Sequence, residues 1–217
     1  MKLTAADVVL FQGDSITDAG RQRMDPVTHR PDALGSGYAA IAAARLLADV
    51  PGVTVHNRGV SGDRVTDLRD RWNEDCLALR PTVVSVLVGV NDTWHGVAEG
   101  TPERGTDPGT FERVYRQLLQ DTRDALPGVR LVVCEPFILE CGVVPGLNFH
   151  PDIDERIARV RAVAGDLADV TVGYPSAFAA ALARHDDSAY WAPDGVHPSV
   201  AGHQIMADAW LAAVTNS

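Results

Sequence analysis

The stretch Val8-Val9-Leu10-Phe11-Gln12-Gly13-Asp14-Ser15-Ile16-Thr17-Asp18 passes from an apolar run straight into Gly-Asp-Ser. Such a run reads as a buried strand, and open α/β sheets hold their ligands just beyond the carboxyl ends of their strands. Ser15 is thereby a candidate nucleophile delivered to a sheet edge. On these residues alone a turn with a helix cap is an equal reading, because Gly, Asp, Ser and Thr are the usual residues of both. The rest of the chain has to decide between the two.

Outward from this stretch, short Val- and Leu-rich runs alternate with longer segments of helical period, the pattern of repeated βα units. Strands are expected at 7–12, 53–56, 83–88, 129–134 and 170–172. The third, apolar at almost every position, belongs at the centre of a parallel sheet buried on both faces. Helices are expected at 38–48, 64–79, 111–126, 152–167 (capped by Asp152), 175–183 and 198–214. The segments 13–36, 93–109 and 136–151 read as loops, with Arg21 to Ser36 and Thr93 to Gly109 expected to shape a pocket. Right-handed crossovers then leave few arrangements besides a three-layer α/β/α sandwich with a five-stranded parallel sheet and flavodoxin-like connectivity. Nothing in the 217 residues calls for a second domain, so residues 1–217 are read as one.

The formal net charge of −10, with Lys2 the only lysine, argues against nucleic acid or an anionic membrane surface as partner. Cys76, Cys134 and Cys141 are odd in number and lack metal-type spacing. Reduced, mostly buried thiols follow as the expectation, and with them a cytoplasmic protein. Met1 to Ala6 carries no apolar signal core, and no run approaches the roughly 20 apolar residues that span a bilayer.

Four blocks carry the candidate chemistry: Gly13-Asp14-Ser15; Asn57-Arg58-Gly59-Val60-Ser61-Gly62-Asp63 after strand two; Gly89-Val90-Asn91-Asp92 after strand three; and Asp194-Gly195-Val196-His197 near the C-terminus. A serine hydroxyl is a poor nucleophile at neutral pH and needs a base, which His197 can supply. Asp194, three residues earlier, can reach the other ring nitrogen if the chain turns at Gly195, fixing the tautomer and stabilising the imidazolium. Taken singly, Gly62 also reads as a turn glycine and Asn91 as a helix cap. Four blocks in this order resemble the SGNH (GDSL-type) hydrolase superfamily over nearly the whole chain. The resemblance implies an oxyanion hole made by the backbone N–H groups of Ser15 and Gly62 and the side-chain amide of Asn91. Asp14 and Asp92 are then expected to brace their loops. None of His29, His56, His95, His150, His185 and His203 has a convincing metal partner, so neither metal nor cofactor is expected.

The longer strings Gly13 to Asp18, Arg58 to Arg64, Gly89 to Trp94, Glu135-Pro136-Phe137 and Trp191 to Pro198 look like the intracellular carbohydrate acetylesterase branch, which includes acetyl xylan esterases. That implies metal-free removal of O-acetyl groups from short xylo-oligosaccharides through an acyl-serine, by a chain that can form homo-oligomers. Trp94, His95 and Trp191 are the candidate pocket residues, with packing an equal reading for the two tryptophans. The competing substrates are a lysophospholipid, a thioester or a simple aryl ester, although no greasy lid is evident. A non-catalytic carbohydrate-binding module on the same fold is the reading from another class.

Overall fold

A computed structural model describes residues 1–23, 30–98 and 100–215. In chain order its elements are β1 (Val8–Gly13), α1 (Ser15–Asp18), α2 (Pro31–Leu34), α3 (Tyr38–Asp49), β2 (Thr54–Asn57), α4 (Val65–Asp75) and β3 (Val83–Leu87). There follow α5 (Val90–Val97), α6 (Pro108–Ala125), β4 (Arg130–Cys134), α7 (Val144–Leu147), α8 (Asp152–Leu167), β5 (Val170–Val172), α9 (Tyr174–Leu182), α10 (Ser188–Trp191) and α11 (Val200–Thr215). Short 3-10 turns lie at Leu77–Leu79 and Pro102–Arg104.

The five strands form one parallel sheet in the order β2-β1-β3-β4-β5. β1 is the inner strand at which the chain reverses direction, pairing Phe11 with Asn57 on one side and Ser85 on the other. The crevice at that reversal is where such sheets bind ligands. α3, α9 and α11 cover one face, over a core that includes Phe11, Tyr38, Phe178 and Trp210. α4, α6 and α8 cover the other, where Phe111, Val114, Tyr115, Leu118 and Leu119 recur at the helical spacing of three and four along α6. Each such side chain, fully buried, stabilises the fold by about 1.5–3 kcal/mol relative to exposure. Ser85, a hydroxyl in the middle of buried β3, accepts a hydrogen bond from Trp210 Nε1 at 2.9 Å, so this polar group is satisfied inside the core.

Four expectations need correction. The segment from Thr93 is not a plain loop: α5 continues through it to Val97, and a 3-10 turn follows. Its β-branched and Asx residues are poor helix formers, but tertiary anchors hold them. Asp92 accepts from Val65 N at 3.1 Å, and Thr93 Oγ1 accepts from the wholly buried Arg156 at 3.0 Å. Likewise α1 and α2 lie within 13–36, and α7 within 136–151. Asp152 begins α8 without capping it by a side-chain bond, because its carboxylate is engaged by Arg156 and Thr93. Part of the expected pocket-shaping segment Arg21 to Ser36, residues 24–29 with His29, lies outside the described residues.

Candidate active site

β1 ends at Gly13, where a Cβ would lie 2.3 Å from the Leu87 carbonyl oxygen, so only glycine lets β1 and β3 approach so closely. The next residue, Asp14, caps α1 by accepting from Ile16 N at 3.0 Å, which sets Ser15 at the first position of the helix. Ser15 Oγ lies 2.8 Å from His197 Nε2, and His197 Nδ1 lies 2.7 Å from Asp194 Oδ2. An ionised carboxylate only accepts, so Nδ1 carries the ring proton and Nε2 presents its lone pair to the serine hydroxyl. Asp194 Oδ1 also accepts the backbone N–H groups of Val196 (2.9 Å) and His197 (2.7 Å). Burial favours the neutral acid, but the His197 bond and these backbone bonds outweigh it and hold the Asp194 carboxyl below its usual range.

The acid-bearing segment is held from outside by the chain between β4 and α8. Leu139 N donates to Gly195 O at 2.7 Å, Val143 N to Asp194 O at 3.0 Å, and Cys141 Sγ to Ala192 O at 3.1 Å. Gly142, at φ +58°, passes so close that a Cβ would lie 2.3 Å from Asp194 Cα.

Gly62 follows β2 at φ +89° with open space where a side chain would be. Asn91 stands in the first turn of α5, where its Nδ2 donates to Asp63 O at 3.1 Å. One amide hydrogen is fixed in this way and the second remains for a ligand. Ser15, Gly62, Asn91 and His197 share the lining of a cavity of about 360 Å³ with Ser61, Trp94, His95, Ala98 and Arg104. Trp94 packs beside the His197 ring at a centroid distance of 5.7 Å.

Trp191 is not among the described residues that line this cavity, and of the two readings given to it packing is the one its burial fits. It is buried, its Nε1 donates to His185 O at 2.9 Å, and its ring meets Tyr190 edge-on at 4.9 Å. Gly202 presses against the Trp191 carbonyl, so α11 packs closely onto the backbone there.

Behind the site sit three acidic residues, each next in sequence to a residue of the cavity. Asp14 is fully buried, with Oδ2 lacking a partner, and burial pushes it up to about 7, reinforced by Asp92 and Asp63 against the Ile16 bond. Burial also pushes Asp92 up to about 6, against the opposing charge of Arg156. Asp63 is raised by burial despite its 2.6 Å pair with Arg71. Arg71 further donates to Arg58 O (2.8 Å) and Gly13 O (3.2 Å), tying the ends of β1 and β2 together. Arg71 and Arg104 escape a reading of the sequence: the first resembles any charged residue of an amphipathic helix, and the second lies in an expected loop. Among the described residues no group of three or more His, Cys, Asp or Glu side chains is placed to hold a metal ion.

The fold, with these blocks gathered at one sheet edge, is that of a hydrolase of the GDSL class. Residues 11–205 match the model of the GDSL-like lipase/acylhydrolase family, and the chain belongs to that family, an enzyme that hydrolyses carboxylic esters. Among its relatives is the acetylxylan esterase of Geobacillus stearothermophilus, 36% identical over 214 residues that cover 97% of this chain and 95% of the esterase. A solved structure of that organism's acetylxylan esterase Axe2 has a TM-score of 0.85 at 34% identity, covering 97% of this chain and 95% of Axe2. Axe2 has also been solved as catalytic mutants in which a serine, an aspartate or a histidine is replaced by alanine. A candidate GDSL-like lipase from Parabacteroides merdae reaches a TM-score of 0.92 at 38% identity, covering 100% of this chain and 99% of the lipase.

Proposed function

We propose that this enzyme removes acetyl groups from acetylated xylo-oligosaccharides or closely related sugars, through an acyl-enzyme formed on Ser15. The observation that carries the reading is the unbroken relay from Ser15 Oγ through His197 to Asp194, at 2.8 and 2.7 Å, opening into a cavity shared with Gly62 and Asn91. Ser15 Oγ attacks the ester carbonyl as His197 Nε2 takes its proton, and Asp194 stabilises the imidazolium. Negative charge on the carbonyl oxygen is met by the N–H groups of Ser15 and Gly62 and the free amide hydrogen of Asn91. Collapse expels the sugar hydroxyl, which leaves with the proton from His197. Water activated by the same histidine then releases acetate and restores Ser15.

Two features support a small acyl group on a sugar. The cavity, about 360 Å³, is at the small end of ligand sites and suits an acetyl group and a sugar ring better than a fatty chain. Trp94 offers an apolar face at its wall, the surface on which sugar rings pack. The likeness to the acetylxylan esterase of Geobacillus stearothermophilus supports the same substrate class. Cys76, Cys134 and Cys141 are free, in keeping with residence in the reducing cytoplasm.

The test is a series of p-nitrophenyl esters from acetate to octanoate together with acetylated xylose oligomers, with Ser15→Ala as control. Acetyl should be preferred sharply, acetate should be released from the oligomers, and Ser15→Ala should fall to background with its circular dichroism unchanged. Preference for long chains would move the substrate to lipids or thioesters, and turnover that survives Ser15→Ala would remove Ser15 as the nucleophile.

A further inference from the structure

The loop between β2 and α4 carries Gly62 and is packed onto α1, the helix that begins with Ser15. Within it Asp63 N donates to Val60 O at 3.2 Å, closing a turn with Ser61 and Gly62 at its centre. Gly62 sits at φ +89° and Ser61 has no such positive φ, the combination that defines a type II turn. A type I turn of the same residues differs chiefly by a rotation of the central peptide through about 150°, so the turn type decides which way the Gly62 N–H points. Glycine at this position holds the type II form, because a Cβ disfavours that φ.

The turn is also fixed in place. Val60 N donates to Gly13 O at 3.0 Å at one end, and Asn91 Nδ2 donates to Asp63 O at 3.1 Å at the other. Between them Ser61 N donates to Asp18 Oδ2 at 3.0 Å. Asp18 is the last residue of α1, and its side chain is only 10% exposed. The same oxygen faces the exposed Arg23 guanidinium at 3.6 Å, an ion pair of the kind that contributes little. The two backbones meet closely here, since a Cβ on Gly59 would lie 2.3 Å from Asp18 N. One turn of helix thus carries the serine at its start and, at its end, the acceptor that holds the Gly62 loop.

We infer that Asp18 is a positioning residue for Gly62: by accepting the Ser61 N–H it keeps the Gly62 N–H aimed at the carbonyl oxygen of the substrate. The inference rests on the reading of Gly62 as an oxyanion donor and adds the group that sets its place. A donor held in position before the reaction needs no reorganisation during it, which is why a fixed turn is worth more than a mobile one. The negative charge of Asp18 opposes an oxyanion nearby, so its contribution is the acceptor oxygen and not the charge.

The experiment measures kcat and KM on p-nitrophenyl acetate for Asp18→Ala, Asp18→Asn and Asp18→Glu, and for Asp18→Ala combined with Gly62→Ala, with Ser15→Ala as background. Asp18→Ala should lower kcat about tenfold with KM changed by less than about twofold, because the donor is displaced and not deleted. Asp18→Asn keeps an acceptor oxygen at the same reach and should stay within about threefold of wild type. Asp18→Glu keeps the charge but moves the acceptor by a methylene, and should lose nearly as much as Asp18→Ala. In Gly62→Ala the turn is no longer held in its type II form, so adding Asp18→Ala should change kcat little, both substitutions acting on the same N–H. Wild-type kcat in Asp18→Ala would overturn the inference. So would a loss in Asp18→Asn as large as in Asp18→Ala, a loss carried by KM, or a loss repeated in full on the Gly62→Ala background; in each case serine-dependent turnover leaves the esterase reading standing. Should Asp18→Ala fail to fold by circular dichroism, the contrast between Asp18→Asn and Asp18→Glu decides in the same way. Turnover that survives Ser15→Ala would overturn both readings.

Discussion

Asn91 has two amide hydrogens with separate tasks: one holds Asp63 O and the other is open to the cavity. A donor aimed at charge that exists only in the transition state lowers the barrier without tightening substrate binding. Asn91→Ala should therefore lower kcat by about 100- to 1000-fold, roughly 3–4 kcal/mol, with KM little changed. Initial rates on p-nitrophenyl acetate would decide, and a loss confined to KM would show a ground-state contact instead. At this scale the catalytic candidates were legible because their chemistry is local: Asp194 and His197 are three residues apart, and Ser15 ends an apolar run. Arg156 was not. It is a charged residue at an ordinary helical position, and only the tertiary fold makes it a buried guanidinium bonded to Thr93, Thr106 and Asp152.

Among the elements, the segment between β4 and α8 acts on the site without entering the cavity lining, since its backbone clasps Asp194 and Gly195. Gly142→Ala would put a Cβ against Asp194 Cα at a left-handed φ, a strain of about 1–3 kcal/mol that relaxes only if the acid segment moves. The expected result is a fall in kcat of at least about tenfold together with a lower Tm. Gly146→Ala, in the same segment but with open space around the new Cβ, is the control and should change neither by much. The five strands could be read from the sequence because buried parallel strands are nearly continuous apolar runs, β3 above all. α5 could not, because its helicity comes from Val65, Thr106 and Arg156 and not from its own residues. Trp191 was open to two readings for a related reason: proximity to Asp194 in sequence says nothing of α11 packing onto its carbonyl.

Across the whole molecule, stability depends on pH through groups that pull in opposite directions. Asp14 and Asp92 keep their protons to about 7 and about 6, well above the usual carboxylate value of 3.8, so the unfolded chain releases these protons first as pH rises. Their contribution is fully present below that value and is lost as pH climbs through 6 and 7. His203 does the reverse. Burial, assisted by His197, pushes it down to about 4, and its Nδ1 accepts from Tyr38 N, so its contribution is present above 6.5 and lost as pH falls through 4. Melting curves against pH should show Asp14→Asn gaining on the wild type as pH rises towards 8, and His203→Asn losing less than the wild type as pH falls towards 4. Parallel curves would contradict both assignments. The bond between Ser15 and His197 joins residues 182 apart in the chain. During synthesis Ser15 is therefore made well before His197, so a chain clipped before Asp194 carries the candidate nucleophile without the partners of the proposed relay.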